Sequence, residues 1–466
     1  MLNFISRSSN YILTIMCAIY ALSCFTVFLP SGEESQARRL DRQEFFVYIF
    51  HFICFLVLIL ETLDPVILAL YGGQFIFFKL LIAIYRRVYP DSSRILMNHT
   101  CFLLAISFVM LARLSVDRAA KQFLIVMAAT VVCMIIPFFV EMAEWLSLLR
   151  WFYGVLGLLF LCTVFVIGST KNGSTNWISL GPVDLQPSEF VKITFIFFIA
   201  ATLAKPPGLR VMFITILFAA LHVLVLVMEK DLGGALLYFM LFALLCYVAT
   251  GRLIYIFGGI LGGGTASFLA FRLFSHVRTR FQAWIDPWSI IDTKGYQIAQ
   301  SLFAIGTGGW FGLGLAQGRP LDIPVADSDF IFSAIAEELG LVFAICIIFV
   351  YLGIFIHFIM IAMDVKEKFY KLLAFGFSIC FIMQVFLCIG GVTKFIPSTG
   401  VTLPLVSYGG SSVCSTLMIF AIMQGVFMIA YRRTEEEEVE QGEETEKTEK
   451  TAEVTPSSGN TGKTSG

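Results

Sequence analysis

About a dozen stretches of roughly twenty predominantly apolar residues recur along this chain of 466 residues, and about twenty is what an α-helix needs to cross the ~30 Å hydrocarbon core of a bilayer. They lie near residues 11–29, 44–62, 99–115, 122–140, 150–168, 188–204, 211–228, 232–250, 253–273, 330–361, 370–391 and 410–431. Residues 65–85 (PVILALYGGQFIFFKLLIAIY) are either a thirteenth span or a segment along the interface, because Tyr71-Gly72-Gly73 and Lys79 interrupt them. In lipid every backbone polar group must be satisfied internally, so runs of this length specify membrane helices. Composition agrees: 58% of the residues are hydrophobic and 14% charged, against about 25% charged in a soluble domain. The expected fold is therefore an all-α polytopic membrane protein. No cleavable signal peptide is expected, because the first apolar run is long and lacks a small-residue cleavage site.

The formal net charge of −1 hides an asymmetry. Residues 434–466 carry ten Glu and three Lys, which leaves a basic membrane body. This tail shows no apolar periodicity and is expected to be disordered. Lys and Arg concentrate beside particular spans: Arg86, Arg87 and Arg94; Lys205 and Arg210; Lys366, Lys368 and Lys371; Arg432 and Arg433. Basic loops stay in the cytoplasm, so these four groups share that side, with ten crossings between residues 99 and 431. Segments 169–187, 274–329 and 392–408 are then extracellular and the C-terminus cytoplasmic. Thirteen spans place the N-terminus outside and twelve place it inside.

Several chemistries are excluded. The basic residues are scattered over loops rather than gathered in a stripe, which argues against nucleic acid. The eleven Cys include no C-x-x-C pair, and the five His form no H-E-x-x-H or similar cluster, so neither a zinc site nor a disulfide framework is indicated.

Four stretches combine charge, Pro and Gly in a way a plain helix bundle does not require. The first, Gly173-Ser174-Thr175-Asn176-Trp177-Ile178-Ser179-Leu180-Gly181-Pro182, leads into Gln186-Pro187-Ser188-Glu189 and Lys192. Pro187 suits a first helical turn. Glu189 and Lys192, three apart, share one helix face just inside the membrane, either as a structural pair or as functional intramembrane charges. The second is Glu229-Lys230-Asp231-Leu232-Gly233-Gly234, where Asp231 either caps a helix or faces a ligand. The third, in the large loop 274–329, runs Arg278-Thr279-Arg280-Phe281-Gln282-Ala283-Trp284-Ile285-Asp286-Pro287-Trp288 and then Gly306-Thr307-Gly308-Gly309-Trp310-Phe311-Gly312-Leu313-Gly314. Its glycines lack the strand–turn–helix setting of a dinucleotide loop, although such backbone amides can bind an anion. The fourth is Ile323-Pro324-Val325-Ala326-Asp327-Ser328-Asp329-Phe330, followed by Glu337-Glu338-Leu339-Gly340. Asp329 falls where loop becomes helix and could cap it, hold a cation or act as a base. Glu337 and Glu338 lie about two turns deeper, and at least one is expected to pair with a basic residue of another span.

With a fifth stretch, Pro397-Ser398-Thr399-Gly400-Val401-Thr402-Leu403-Pro404-Leu405-Val406-Ser407-Tyr408-Gly409-Gly410-Ser411-Ser412, these motifs resemble, in order, those of the SEDS family of shape, elongation, division and sporulation proteins, FtsW, RodA and SpoVE. The resemblance runs from about residue 98 to 431. It implies a ten-helix core over 98–431 with a large extracellular loop, preceded by two or three extra transmembrane helices in 1–97 and followed by the acidic tail 432–466. The Thr-Leu-Pro-Leu form of the fifth motif is more similar to the FtsW/SpoVE branch. The resemblance implies a peptidoglycan glycosyltransferase of the bacterial cytoplasmic membrane. Such an enzyme polymerises lipid II into undecaprenyl-linked glycan on the outer face, beside a class B penicillin-binding protein transpeptidase. Motif matching implies that Asp329 corresponds to the family's essential aspartate, with Trp177, Glu189, Lys192, Asp231 and Arg280 on other motif positions. Three motifs depart from the family pattern: Asp327-Ser328-Asp329 where His-Thr-Asp is usual, Gly234 where Thr is usual, and Thr399 where some division proteins have Lys.

The chemistry expected from this resemblance is an inverting displacement. Asp329 takes the acceptor hydroxyl proton while cationic groups stabilise the departing pyrophosphate. Lys192, Lys230, Arg280 and Arg319 are the candidate cations, Arg offering a bidentate fork. Asp327, Ser407 and Tyr408 complete the substrate-binding candidates. A divalent cation, Mg²⁺ or Mn²⁺, at Asp329 or Asp231 could share the task, though no motif demands one. The competing readings are a lipid-linked precursor flippase or transporter, which also needs intramembrane charges and broken helices, and a noncatalytic membrane scaffold of the cell-wall machinery.

Overall fold

The computed structural model describes residues 2–29, 32–171, 174–179, 181, 184–293 and 295–454. Gly173, Leu180 and Pro182 of the first polar stretch, and residues 455–466 of the tail, lie outside them. Three helices precede the expected core: α1 (Leu2–Thr26), α2 (Glu33–Thr62) and α3 (Pro65–Val88). The ambiguous segment is thus a full helix. Asp64 caps it, its Oδ1 accepting from Val66 N at 2.8 Å, and Pro65 opens the first turn, where a missing N–H costs nothing. Gly73 serves packing: a Cβ there would stand 3.2 Å from the Phe123 ring. Lys79 does not break the helix either, and its ammonium lies 3.8 Å from the Tyr48 ring centroid.

The core contains α4 (Arg94–Leu114), α5 (Val116–Cys133) continued by the short α6 (Ile136–Met142), and α7 (Arg150–Cys162) continued by α8 (Val164–Ile167). It goes on through α9 (Pro187–Leu203), α10 (Leu209–Met228), α11 (Leu232–Thr250), α12 (Ile254–Leu273), α13 (Ser275–Ile285) and α14 (Tyr296–Gly308). The last elements are α15 (Ile331–Leu339), α16 (Leu341–Asp364), α17 (Lys368–Val392) and α18 (Gly410–Val454). Twelve of the described helical segments are long and apolar enough to cross a membrane. Helix α9, of 17 residues and about 26 Å, lies among α7, α11, α17 and α18 and completes ten crossings after residue 93. Helix α4 is mostly apolar, and nearly all of it is buried within the bundle, as a helix with apolar residues on all its faces is expected to be.

Two expectations are corrected. Residues 330–361 do not form one span: the chain breaks at Gly340, with φ 91° and ψ 167°, between α15 and α16. Residues 309–314 press into the break, where Leu341 N donates to Gly309 O at 2.9 Å and Val342 N to Trp310 O at 3.1 Å. Hydropathy does not mark this break, because both residues 330–336 and the residues after Gly340 are apolar and only Glu337-Glu338 interrupts them. The tail departs from expectation too, since α18 continues as helix through Val454. Glu, Gln and Lys are strong helix formers, and Glu–Lys pairs four apart add to this, so a charged segment without an apolar face can still continue a helix that the membrane span has nucleated.

The polar stretch 169–185 also holds an antiparallel sheet of β1 (Ser169–Lys171), β2 (Ser174–Ser179) and β3 (Asp184–Leu185), with Ser169 opposite Trp177 and Ser179 opposite Asp184. The alternation in Ser174–Ser179 is short enough to read as loop. This sheet, α13–α15 and the segment 393–409 all lie at one end of the bundle. At the other end are the basic groups near Arg86, Arg94, Lys205, Lys366 and Arg432. There Arg432 reaches Asp91 at 3.1 Å and also pairs with Glu141, while Arg433 pairs with Glu367.

Candidate functional site

The segment Ile396–Ser412 is the hub on which the other polar motifs converge. Ser407 is buried. Its Oγ accepts from Leu403 N at 2.8 Å and donates to Ser328 O at 2.6 Å, while Tyr408 N donates to Asp327 O at 2.7 Å. The fifth motif therefore grips the backbone of Asp327-Ser328-Asp329 from beneath. The two carboxylates then diverge. Asp327 is buried and forms an ion pair with Arg118, whose guanidinium carbon lies 5.8 Å from the Tyr408 ring centroid. Asp329 is half-exposed. Ser328 Oγ donates to its Oδ1 at 3.1 Å, and no hydrogen bond from a described residue reaches Oδ2.

Across Gly400 stands Arg280, on α13. Its Nη1 donates to Ser398 O at 3.3 Å and Thr399 O at 3.0 Å. The Cβ position of Gly400 is 3.6 Å from Asp329 Oδ2 and 3.9 Å from Arg280 Nη2. Those two atoms are therefore at most about 7.5 Å apart, with only a glycine between them. Desolvation raises the Asp329 carboxyl above its ordinary range. The Ser328 hydrogen bond and the Arg280 charge oppose this, and the charges of Asp327 and Asp231 add to it.

Asp231 is closed off. It caps α11, Oδ1 accepting from Gly234 N at 2.8 Å, while Oδ2 accepts from Asn176 Nδ2 at 3.0 Å, Ser188 Oγ at 3.3 Å and Gln186 Nε2 at 3.4 Å. It ties the start of α11 to the sheet and to α9. Glu189 and Lys192 form a similarly closed unit: Lys192 Nζ is 2.5 Å from Glu189 Oε2 and 2.9 Å from Gln384 Oε1, and Ser415 Oγ donates to Glu189 at 2.9 Å. Lys192 is 2% exposed, so its charge stabilises the junction of α9, α17 and α18. Trp177 is half-buried on β2, and Lys230 is exposed at the turn after α10. Arg319 is exposed with its backbone N donating to Glu337 Oε1 at 2.9 Å. Of the four candidate cations, Arg280 alone is brought to Asp329. Glu338 does pair with a basic residue of another helix, Arg113 of α4, at 2.9 Å.

Two participants escaped sequence reasoning: Arg118, whose signal was a cation in the first turn of α5 away from the four basic groups, and Gln384, which had none. Glu229, at the turn between α10 and α11, is fully buried, and neither carboxylate oxygen has a partner among the described residues. Burial, with Asp231 beside it, pushes its carboxyl up to about 8, so it is mostly neutral at pH 7. Among the described residues no cluster of three or more His, Cys, Asp or Glu is arranged to hold a metal. With both Asp231 oxygens engaged, Asp329 Oδ2 is the carboxylate oxygen here that a cation could reach.

Arg280 also forms the polar end of a cavity of about 730 Å³. Its walls are apolar, from Val227 and Leu236 through Phe239, Phe271 and Trp284 to Ile396, and Ser398 and Thr399 close it beside Arg280. Helix α12, which has no buried residue and packs against α11 and α13, lines one side of the cavity through Gly263, Ala266 and Phe271.

The fold and this cavity, apolar along its walls with a cation at its end and a half-exposed carboxylate across Gly400 from that cation, define a polytopic helical membrane protein. The chain belongs to the FtsW/RodA/SpoVE family of cell cycle proteins, whose family model matches residues 94–432. It is 35% identical over 367 residues to the peptidoglycan glycosyltransferase RodA of Mycobacterium tuberculosis, covering 72% of this chain and 78% of that protein. Over 282 residues it is 32% identical to a probable peptidoglycan glycosyltransferase FtsW of a Geobacter species, covering 59% of this chain and 77% of that protein. Similarity thus extends to both branches of the family. Among solved structures, a chain from a peptidoglycan synthase complex coordinating polymerization and crosslinking superposes with a TM-score of 0.61 at 25% identity. That match covers 73% of this chain and 98% of that one. The RodA of Thermus thermophilus gives a TM-score of 0.55 at 24% identity, covering 72% of this chain and 96% of that one.

Proposed function

We propose that this protein is an inverting peptidoglycan glycosyltransferase that joins lipid II units into β-1,4 glycan strands at the outer face of the cytoplasmic membrane. The observation that carries the reading is the placement of Asp329 Oδ2 and the Arg280 guanidinium on either side of Gly400, at the head of the apolar cavity. A lipid-linked sugar entering sideways lays its isoprenoid along the groove and its pyrophosphate near Arg280. The acceptor 4-hydroxyl attacks the donor anomeric carbon, the bond from that carbon to the pyrophosphate oxygen breaks, and the hydroxyl proton passes to Asp329. The leaving lipid diphosphate carries the electron pair beside Arg280. Raising the Asp329 carboxyl above its ordinary range strengthens it as a base, while the fixed guanidinium stabilises charge as it develops. Asp327, held by Arg118, orients the loop.

Positive charge gathers at the end of the bundle opposite the site, which supports an outward site, an outward N-terminus and a cytoplasmic C-terminus. A class B penicillin-binding protein is the partner suggested by the synthase complex that this chain resembles.

Reconstitution with purified lipid II tests the reading. The wild-type protein makes strands, and Asp329→Asn, which keeps shape and volume, loses at least about a hundredfold in rate, the lower end for general-base loss, with an unchanged thermal midpoint. Leaflet exchange of lipid II without strands supports a flippase instead. Normal polymerisation by Asp329→Asn overturns the assignment of the base.

A further inference from the structure

Helix α1 lies wholly before the family match begins at residue 94, yet it reaches the loop that leads to Asp329. We infer that Asn10 is a positioning residue for the transfer reaction: it ties the C-terminal end of α15 to the segment 309–314, and thereby fixes where α15 holds Asp329. The inference rests on the reaction proposed above.

A helix end leaves carbonyls without intrahelical partners, and Gly340 ends α15 abruptly. The segment 309–314 supplies two replacements, Leu313 N to Glu337 O and Gly314 N to Glu338 O, both at 3.0 Å. Asn10 adds a second donor to Glu338 O. Its Nδ2 lies 2.7 Å from Glu338 O and 2.6 Å from Phe311 O, so one amide group bridges the helix end and the segment beside it. Asn10 is 2% exposed, so water cannot substitute if the amide is removed. The Tyr11 ring packs on Phe311 at 5.3 Å between centroids, and Glu61 of α2 accepts from Gln317 Nε2 at 3.0 Å. All nine residues of α15 are buried. A short buried helix moves as one body, so a shift at Glu338 reaches Asp329, which sits two residues before the helix begins.

The test compares two variants of the full chain. Asn10→Leu keeps the branched shape of the side chain and removes both donors. Tyr20→Phe removes the 3.0 Å contact from α1 to His99 about 15 Å further along the helix, and so weakens the same unit away from α15. We expect Asn10→Leu to lower kcat by about 10- to 100-fold with KM for lipid II nearly unchanged, as small misplacements of reacting groups do. Hydrogen–deuterium exchange at residues 309–316 and 335–341 should speed up, with α4 unaffected. Tyr20→Phe should lower the thermal midpoint and leave kcat alone. The inference is overturned if Asn10→Leu keeps its kcat, with or without faster exchange. Loss of activity by both variants in proportion to their midpoints also overturns it. A wild-type protein that makes no strands would overturn the proposed reaction instead, and exchange at 309–316 would still decide whether Asn10 holds this segment.

Discussion

Replacing Gly340 by Ala tests the break that separates α15 from α16. At φ 91° and ψ 167° the residue occupies a region open essentially to glycine alone, and a side chain there costs about 1–3 kcal/mol in backbone strain. Space is a second obstacle. A Cβ at 340 would stand 2.4 Å from Gly312 N, 2.4 Å from Phe311 C and 2.6 Å from Phe311 Cα. These are backbone atoms, which cannot rotate away as a side-chain tip can. Residues 311 and 312 would have to retreat by at least half an ångström or so, the kind of overpacking that costs a further 1–3 kcal/mol or about that.

The combined expectation is a loss of about 2–6 kcal/mol, concentrated where Leu313 and Gly314 hydrogen-bond to the end of α15. Denaturant unfolding in a defined detergent measures it, with Gly72→Ala as the control. Gly72 lies inside α3, has nothing within 4 Å of its Cβ position and has no positive φ, so Ala there should stabilise by about 0.5–1 kcal/mol. Polymerisation should fall in Gly340→Ala beyond the loss of folded protein, because α15 carries the loop of Asp329. If Gly340→Ala is as stable as the wild type and fully active, residues 330–361 form one continuous helix and the placement of Asp329 derived from the break is wrong.

Two further predictions follow from buried carboxylates. Arg113→Met leaves Glu338, whose side chain is fully buried, without its cation and should cost about 3–5 kcal/mol, whereas adding Glu338→Gln to that variant should recover part of the loss; a double variant no more stable than Arg113→Met would show that the pair is not coupled. Glu229 has its folded-state carboxyl raised to about 8 from an ordinary 4.5, so it favours folding below the lower value, and stability should decline as pH rises through that interval. Glu229→Gln should remove that decline in denaturant titrations between pH 5 and about 8; an equal slope in both proteins would refute a neutral Glu229.

The sequence made the membrane helices legible because apolar length is a local property. Pairings made across the fold were not local in this sense. Lys192 and Arg280 are both cations beside conspicuous motifs, yet the fold encloses one between Glu189 and Gln384 and leaves the other at the cavity. Nothing within a few residues of either distinguishes them. Asp327 and Asp329 likewise stand two apart with the same side chain, and Arg118, 209 positions away from Asp327, decides which is neutralised. The break at Gly340 follows the same rule, because it depends on residues 309–314 arriving beside it. This explains why the motif residues divide as they do. Where a motif's partners lie on its own helix or the adjoining turn, as for Asp231 capping α11, its simplest structural role could be anticipated. The part with a free carboxylate oxygen is assembled from four separate segments: α13, the loop before α15, the segment before α18, and, through Asn10, the helix at the start of the chain. The base proposed above must remain unpaired while its neighbours are held, and Asp329 Oδ2 is left without a hydrogen bond from a described residue while Asp327 and Arg280 take partners from elsewhere in the chain.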